Sequence, residues 1–461
     1  MYKINYENPV NVYFIGIGGI SMSGLAMVLK DRGFTVTGSD RAENEQVLAL
    51  KDAGIKVFVG ESADNVTNAG HIDLVVYTAA VHPDNPEFAK AKELGLPMLT
   101  RAELLGQIMT HYHLPIAVSG THGKTTTTGM ISKILLASSM DPTISIGGNL
   151  KDIGGNIRIG QSDYFITEAC EYTNSFLSFF PGVGVILNID KDHLDFFKDL
   201  EDITKSFRKF AELIPDNGTL VINNEIPNLG EFTKGLTCNI LTYGFDDSAD
   251  YYPSDISYDA FGCASFHVNR KGREGFDLTL KVPGKHNIGN ALASVACSDC
   301  FDIEASNIVE GLSSFTGTGR RFEYKGTVDG VTIIDDYAHH PTEIAATLSA
   351  AKNYPHKRIW CVFQPHTFTR TKALMDEFAN ALLAADKLVI ADIYPARETN
   401  NLGISSRTLK EKIESLGHEC YYFPSFEEIE KFLLQNCTKD DLLITMGAGD
   451  VVNIGNDLLG I

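Results

Sequence analysis

The segment Gly120-Thr121-His122-Gly123-Lys124-Thr125-Thr126 carries the strongest chemical signal in the chain. Glycine lets a backbone N–H turn towards an anion with no Cβ in the way. A lysine at this point reaches the outer phosphates of a nucleotide, and the hydroxyl that follows can bind Mg²⁺. A short apolar run, 115–119, enters the segment and a helical pattern leaves it, so a helix dipole adds its positive end to the cradle. The usual phosphate-loop pattern wants glycine at position 118, which here is Val118. Glycine, lysine and threonine still coincide with the right flanks, and the whole segment is read as an ATP phosphate site.

Two acidic and histidine-bearing clusters lie downstream. Glu168 and Glu171 follow one apolar run, and Asn188-Ile189-Asp190-Lys191-Asp192-His193 ends another. Parallel strands bring their C-terminal ends to one edge, where ligands of α/β proteins sit. Magnesium prefers oxygen ligands, so Glu168 is the stronger metal candidate and His193 the less usual one. A third cluster, Asp335-Asp336-Tyr337-Ala338-His339-His340-Pro341, puts two histidines side by side. Adjacent side chains diverge and no i, i+4 partner or cysteine pair supports zinc, so ligand contacts are expected there. Cys297 and Cys300 form a lone CxxC inside a helical pattern and are read as packing.

A second glycine loop opens the chain. Gly16, Gly18 and Gly19 follow an apolar run, with Asp40 after the next one, and position 21 is Ser21 where a dinucleotide fingerprint wants glycine. Taken alone, this loop suits NAD(P) about as well as UDP. The ATP loop downstream favours UDP, whose pyrophosphate asks for the same backbone N–H groups.

The elements that position these groups follow from the punctuation. Apolar runs at 10–15, 34–38 and 73–78 alternate with helical patterns and predict a parallel, doubly wound sheet. Runs at 115–119, 163–167, 183–189 and 219–222, with a helix over 287–299, predict a second α/β unit. Runs at 331–334, 358–363, 387–391 and 442–445, with helices over 342–352 and 371–384, predict a third. The expectation is three α/β domains: a Rossmann-like domain over 1–113, a central P-loop ATPase-like parallel sheet over 114–318, and a Rossmann-like domain over 319–461. A length of 461 residues accommodates that number.

Formal net charge is −20, from 39 Lys plus Arg against 59 Asp plus Glu. Such a surface repels a phosphate backbone, which argues against nucleic-acid binding. Residues 1–9 lack the layout of a signal peptide, and no run reaches the ~20 apolar residues of a membrane span. Eight scattered cysteines suit a reducing compartment. A soluble, cytoplasmic chain without membrane insertion is expected.

Taken in order, Gly16–Gly24, Gly120–Thr126, Glu168, Asn188–His193, His286-Asn287-Ile288-Gly289-Asn290, Gly319-Arg320-Arg321-Phe322-Glu323 and Asp335–Pro341 resemble the Mur ligase family, which builds the peptide stem of bacterial cell-wall precursors. The resemblance implies ATP and UDP-N-acetylmuramate as substrates, with L-alanine joined to the lactyl carboxylate. It implies that the N-terminal domain holds the uridine nucleotide through Gly16, Gly18, Gly19, Ser21 and Asp40, with His122 and Asn188 touching the sugar. It assigns Lys124 to the β- and γ-phosphates, Thr125 and Glu168 to one Mg²⁺, and His193 to a second. His286, Asn287 and Asn290 match the adenine-contacting segment, Arg321 a phosphate contact, and Asp336 a ribose contact. Tyr337, His339 and Arg370 are the candidates for the amino acid, whose carboxylate suits an arginine fork. Thr367 stands where many members carry a second arginine, which leaves Arg370 to act alone or with His366. Rivals that the ATP loop does not separate are a ligase that recycles a ready-made tripeptide and a ligase of a later stem step. An NAD(P)-dependent oxidoreductase and a non-catalytic nucleotide sensor are readings from other classes.

Overall fold

The computed structural model describes residues 2–78, 81–396, 398–400 and 402–461. The first run of alternating elements forms β1 (Asn11–Ile15), β2 (Thr35–Asp40), β3 (Lys56–Val59), β4 (Leu74–Tyr77) and β5 (Met98–Thr100). Their order is β3-β2-β1-β4-β5, with every neighbour parallel. The strand order reverses at β1, the point where an open α/β sheet leaves a crevice at its C-terminal edge. Val12, Tyr13, Phe14 and Ile15 are all buried, because helices cover both faces.

The central sheet contains β6 (Leu114–Ser119), β7 (Thr143–Leu150), β8 (Gly155–Arg158), β9 (Tyr164–Ala169) and β10 (Val183–Ile186). It continues with β11 (Thr219–Asn223), β12 (Asn239–Tyr243), β13 (Tyr251–Tyr258), β14 (Cys263–Arg270) and β15 (Arg273–Pro283). The order is β15-β14-β13-β12-β11-β10-β6-β9-β7-β8. A parallel sheet was expected throughout, and the inner strands from β12 to β7 are parallel. Both wings depart from it: β8 runs antiparallel to β7, and β14 runs antiparallel to β13 and β15. A two-residue turn at Lys271-Gly272 pairs Arg270 with Arg273, and Gly272 has φ +76°. Such a turn closes a hairpin and leaves no room for a crossover helix.

The third sheet holds β16 (Glu323–Val328), β17 (Val331–Asp336), β18 (Ile359–Phe363), β19 (Lys387–Ile390), β20 (Cys420–Tyr422) and β21 (Leu442–Met446), ordered β16-β17-β21-β18-β19-β20. Only β16 is antiparallel, joined to β17 through Asp329-Gly330, both with positive φ. The single helix expected over 371–384 is two, Phe368–Ala373 and Met375–Leu382. Leu374 leaves the helical region at φ −117° and ψ 29°, which places its side chain in the buried core of this unit.

One buried apolar cluster runs without interruption from the first sheet into the central one. It joins Leu104, Leu105, Ile108 and Met109 to Phe176, Phe179, Phe207 and Phe210. Phe176 and Phe210 stack at 4.9 Å. Helix Arg101–Met109 meets this wall at Gly106, where a Cβ would lie 1.9 Å from the Ser178 carbonyl oxygen. Gly106→Ala is therefore expected to cost at least about 1–3 kcal/mol by overpacking. An unchanged urea midpoint for this variant would refute the close approach. Among the described residues no helix is long and apolar enough to cross a membrane.

Candidate active site

Strand β6 ends at Ser119, and the chain turns through Gly120 (φ +143°) and Gly123 (φ +85°) into helix Lys124–Ala137. Both glycines are required. A Cβ on Gly120 would lie 2.8 Å from Leu187 Cβ, and one on Gly123 would lie 2.7 Å from Asn290 Oδ1. The helix has no side-chain cap and no acid in its first turn, so its N-terminal N–H groups are left for an anion. Asn188 fixes the loop from the tip of β10. Its Oδ1 accepts from the His122 N–H at 2.8 Å, and its Nδ2 donates to the His122 carbonyl at 3.0 Å.

Lys124 folds back over this loop. Its ammonium donates to the carbonyls of Gly120 and Thr121 and pairs with Glu171 at 3.0 Å. Burial works against the charge, but Glu171 outweighs it and raises the lysine pKa, so the ammonium stays protonated. Glu171 is 2% exposed, and its other oxygen lies 3.8 Å from His193 Nε2. His193 adopts φ +52°, packs at a tilt against Tyr172, and has its pKa lowered by burial, which keeps the ring neutral. Asp192, beside it, accepts from Arg370 Nε at 2.9 Å. A continuous series of charged and polar groups thus runs from Lys124 through Glu171, His193 and Asp192 to Arg370. Glu171 and Asp192 were visible as cluster members but were given no role by spacing, because their partners lie 47 and 178 positions away.

Glu168, in β9, accepts from the Gly147 N–H at 2.6 Å, and a Cβ on Gly148 would lie 3.0 Å from Thr125 Cγ2. Thr125 and Glu168 therefore border the same short stretch of β7. This pairs a hydroxyl with a carboxylate beside the phosphate loop, the hard oxygen donors that magnesium takes. Among the described residues one group of three His, Cys, Asp or Glu side chains, His122, Asp190 and His340, brings ligand atoms within 4.8 Å of one another. Both ring nitrogens of His340 are otherwise engaged: Nε2 lies 2.8 Å from the Lys191 carbonyl, and Nδ1 accepts from the Thr342 N–H.

A cavity of about 360 Å³ opens beside the phosphate loop. Gly123 and Thr126 line one side, His286, Asn287 and Asn290 of helix Lys285–Asp299 another, and Arg321 and Asp336 the third. Asn287 donates to the Pro283 carbonyl, and Asn290 donates to Asn287. Burial pushes His286 down to about 4 and Asp336 up to about 6, the latter while it accepts from the N–H groups of Phe322 and Ala338. A second cavity of about 260 Å³ brings together His193, Tyr337, His339, His366 and Arg370, with Thr367 and Leu374 in its wall. Arg370 Nη1 lies 3.2 Å from His366 Nδ1, and burial lowers His339 to about 4.

The first glycine loop sits apart from both cavities, at the crevice beside β1. Gly18 N–H donates to Asp40 at 2.8 Å, and a Cβ on Gly18 would lie 2.6 Å from Val47 Cγ2. Asp40 thus holds the loop's backbone. Gly16 turns with φ +78°, Gly19 caps helix Ile20–Asp31, and Ser21 lies in its first turn. Arg101, which spacing gave no reason to single out, donates to Ser21 Oγ at 2.9 Å.

The third unit is latched onto the central one by ionic contacts. Thr342 Oγ1 donates to Asp190 at 2.7 Å, and Glu343 lies 3.2 Å from His122 Nδ1, 3.3 Å from His339 Nδ1 and 3.8 Å from Arg321 Nη1. Burial alone would strip the proton from His122, but Asp190 and Glu343 overcome it and raise the imidazole from 6.5 to about 9. Its contribution is fully present below pH 6.5 and fades as pH rises through about 9. This rise corresponds to roughly 3 kcal/mol. Between pH 7 and 10 the wild type should lose denaturant resistance that a His122→Gln variant never had, so parallel pH profiles would contradict the latch.

The Mur ligase family catalytic domain matches residues 11–113, the Mur ligase middle domain 118–298, and the Mur ligase glutamate ligase domain 320–449. The chain is 58% identical over 459 residues to a UDP-N-acetylmuramate–L-alanine ligase of Agathobacter rectalis, covering 100% of both chains. It is 58% identical over 460 residues to the enzyme of the same name from Lachnospira eligens, again with 100% of both chains covered. A crystal structure of the UDP-N-acetylmuramate-alanine ligase from Thermotoga maritima superposes with a TM-score of 0.82 at 30% identity over 98% of both chains. A murein peptide ligase from Psychrobacter arcticus superposes at 0.73 with 26% identity, also over 98% of both.

Proposed function

The chain belongs to the Mur ligase family, and from that premise we propose that it joins L-alanine to the lactyl carboxylate of UDP-N-acetylmuramate, converting ATP to ADP and phosphate. The observation that carries this reading is the unbroken series from Lys124 through Glu171, His193 and Asp192 to Arg370. It links a phosphate cradle to a small cavity bearing an arginine fork. The full-length identity to alanine ligases favours alanine over the tripeptide of a recycling enzyme.

A carboxylate is a poor electrophile, because attack pushes electrons onto a group that is already anionic. In the first step a lactyl oxygen attacks the γ-phosphorus, the bond to the β,γ-bridging oxygen breaks, and ADP leaves. In the second, the amine nitrogen attacks the acyl carbon, and the tetrahedral intermediate expels phosphate. Charge accumulates around the transferred phosphoryl group in both, so positioning and cations dominate the barrier. Lys124, released from Glu171, meets the β- and γ-phosphates, and the loop N–H groups hold them. Thr125 and Glu168 are the oxygen donors suited to Mg²⁺, and neutral His193 suits a second ion. Bound Mg²⁺ supplies charge neutralisation at the phosphates. His286, Asn287 and Asn290 take the adenine side, Arg321 the phosphates and Asp336 the ribose. Gly16, Gly18, Gly19 and Ser21 hold the uridine nucleotide, with Asp40 and Asn188 shaping the two loops and His122 facing the sugar. Tyr337, His339 and Arg370 receive the amino acid.

The three sheets support a division into a uridine domain over 1–113, an ATP domain over 114–318 and an amino-acid domain over 319–461. ATP supply and eight free cysteines point to the cytoplasm. The direct test measures phosphate release with ATP, UDP-N-acetylmuramate and, separately, L-alanine, L-serine, glycine or the stem tripeptide. Turnover with alanine is expected. Turnover with the tripeptide and none with alanine would overturn the assignment.

A further inference from the structure

A cavity of about 470 Å³ lies back to back with the ATP cavity, and no step of the reaction uses it. Val282, Pro283, Gly317, Arg321 and Phe322 line both, so the linker between the central and third units is the wall they share. The cavity straddles that seam. The central unit brings Lys281 of β15 and Phe261 of the turn between β13 and β14. The third unit brings Tyr324 of β16 and Tyr354, which follows helix Pro341–Ala351. The shared wall is strained: Arg320 and Phe322 hold φ of +58° and +48°, a region that residues other than glycine rarely adopt.

The lining joins aromatic faces to unpaired cations. Phe261 meets Tyr354 edge-on with ring centroids 5.3 Å apart, and Phe322 lies 5.9 Å from the same ring. Phe261 and Tyr324 are nonetheless 49% and 56% exposed, and the Tyr354 hydroxyl makes no hydrogen bond among the described residues. Lys151 and Lys281 have no ion pair or side-chain hydrogen bond among the described residues. The acids of the wall already have donors: Asp259 accepts from the N–H groups of Phe261 and Cys263 at 2.9 Å, and Glu323 from that of Arg320 at 2.9 Å. In a chain of net charge −20, a wall whose free charges are cations is a local inversion.

We propose that this cavity binds a small aromatic monoanion, one or two rings bearing a carboxylate, and that its occupancy weakens ATP binding. The rings supply faces for stacking, and the two lysines supply the counter-charge. Asp259 and Glu323 in the same wall disfavour a doubly charged phosphate. Arg321 gives the coupling its sign. One guanidinium lines both cavities, so an anion on one side of the linker draws it away from phosphates on the other. The coupling rests on the ATP assignment above; the binding of the anion does not.

The test is calorimetric titration of naphthoate and its neutral amide into the full chain, with and without ATP, for wild type and Lys151→Gln/Lys281→Gln. Wild type should bind naphthoate at one site. The double variant should bind it about 5- to 10-fold more weakly, with unchanged ATP affinity when naphthoate is absent. Naphthamide should bind wild type as weakly as naphthoate binds the variant, and this arm carries the test if the variant has lost its cooperative melting transition. Saturating ATP should raise the wild-type Kd for naphthoate to a plateau about 5-fold higher, and naphthoate should raise the Kd for ATP by the same factor. Equal affinity of naphthoate for wild type and the folded variant, or no binding to wild type, would overturn the site. A Kd that climbs without limit as ATP increases would put naphthoate in the ATP cavity and overturn it too, while an unchanged Kd would overturn the coupling. A wild type that binds naphthoate and not ATP would overturn the ligase reading and the coupling with it, and leave the site standing.

Discussion

Lys124→Ala is expected to lower kcat by at least about 10³-fold, because the ammonium is the fixed cation that meets charge on the transferred phosphoryl group. The same change leaves Glu171, 2% exposed, without its cation. Breaking a buried pair from one side costs on the order of 3–5 kcal/mol, so the variant should also melt earlier. The double variant Lys124→Ala/Glu171→Gln separates the two effects. It should regain much of the lost melting temperature, since a neutral amide replaces the stranded carboxylate, and it should regain none of the turnover. Near-normal phosphate release from Lys124→Ala would remove the lysine from the mechanism.

The second large effect is expected at Arg370. Truncation to alanine should raise the KM for L-alanine by about 10²-fold or more, through loss of a bidentate partner for its carboxylate. Asp192 would be left buried with its arginine gone. The step before amine attack should be spared, so ADP formation in a single turnover with UDP-N-acetylmuramate would continue while amide formation fails. Arg370→Lys should recover little, because an ammonium cannot reproduce the planar fork that reaches Asp192 and His366 together. An unchanged KM for alanine would move amino-acid recognition to Tyr337 and His339.

The phosphate loop was legible because its chemistry is local: glycine, lysine and threonine within seven residues declare a backbone conformation and a charge. The three α/β units were legible for a similar reason, since apolar runs alternate with helical periodicity. What escaped depends on contacts distant in the chain. Glu171 and Asp192 look like ordinary loop acids until folding brings Lys124 and Arg370 to them. Glu343 reads as one residue of a helix, and only the third unit's docking sets it against His122. The antiparallel wings were missed because β14 and β15 have a solvent-facing side, so their apolar residues alternate with polar and charged ones instead of forming a run.

The two seams of the molecule differ in kind. Phe176, Phe207 and Phe210 weld the first sheet to the central one in a single apolar core, while no buried hydrophobic cluster spans the junction with the third among the described residues. Relative motion should therefore be confined to the ionic seam, and the span from the first glycine loop to Lys124 stays constant through a reaction cycle. A constant span acts as a gauge. It admits a nucleotide sugar whose carboxylate hangs at one reach from the uridine and turns away one that is a bond or two shorter or longer, whatever its other groups.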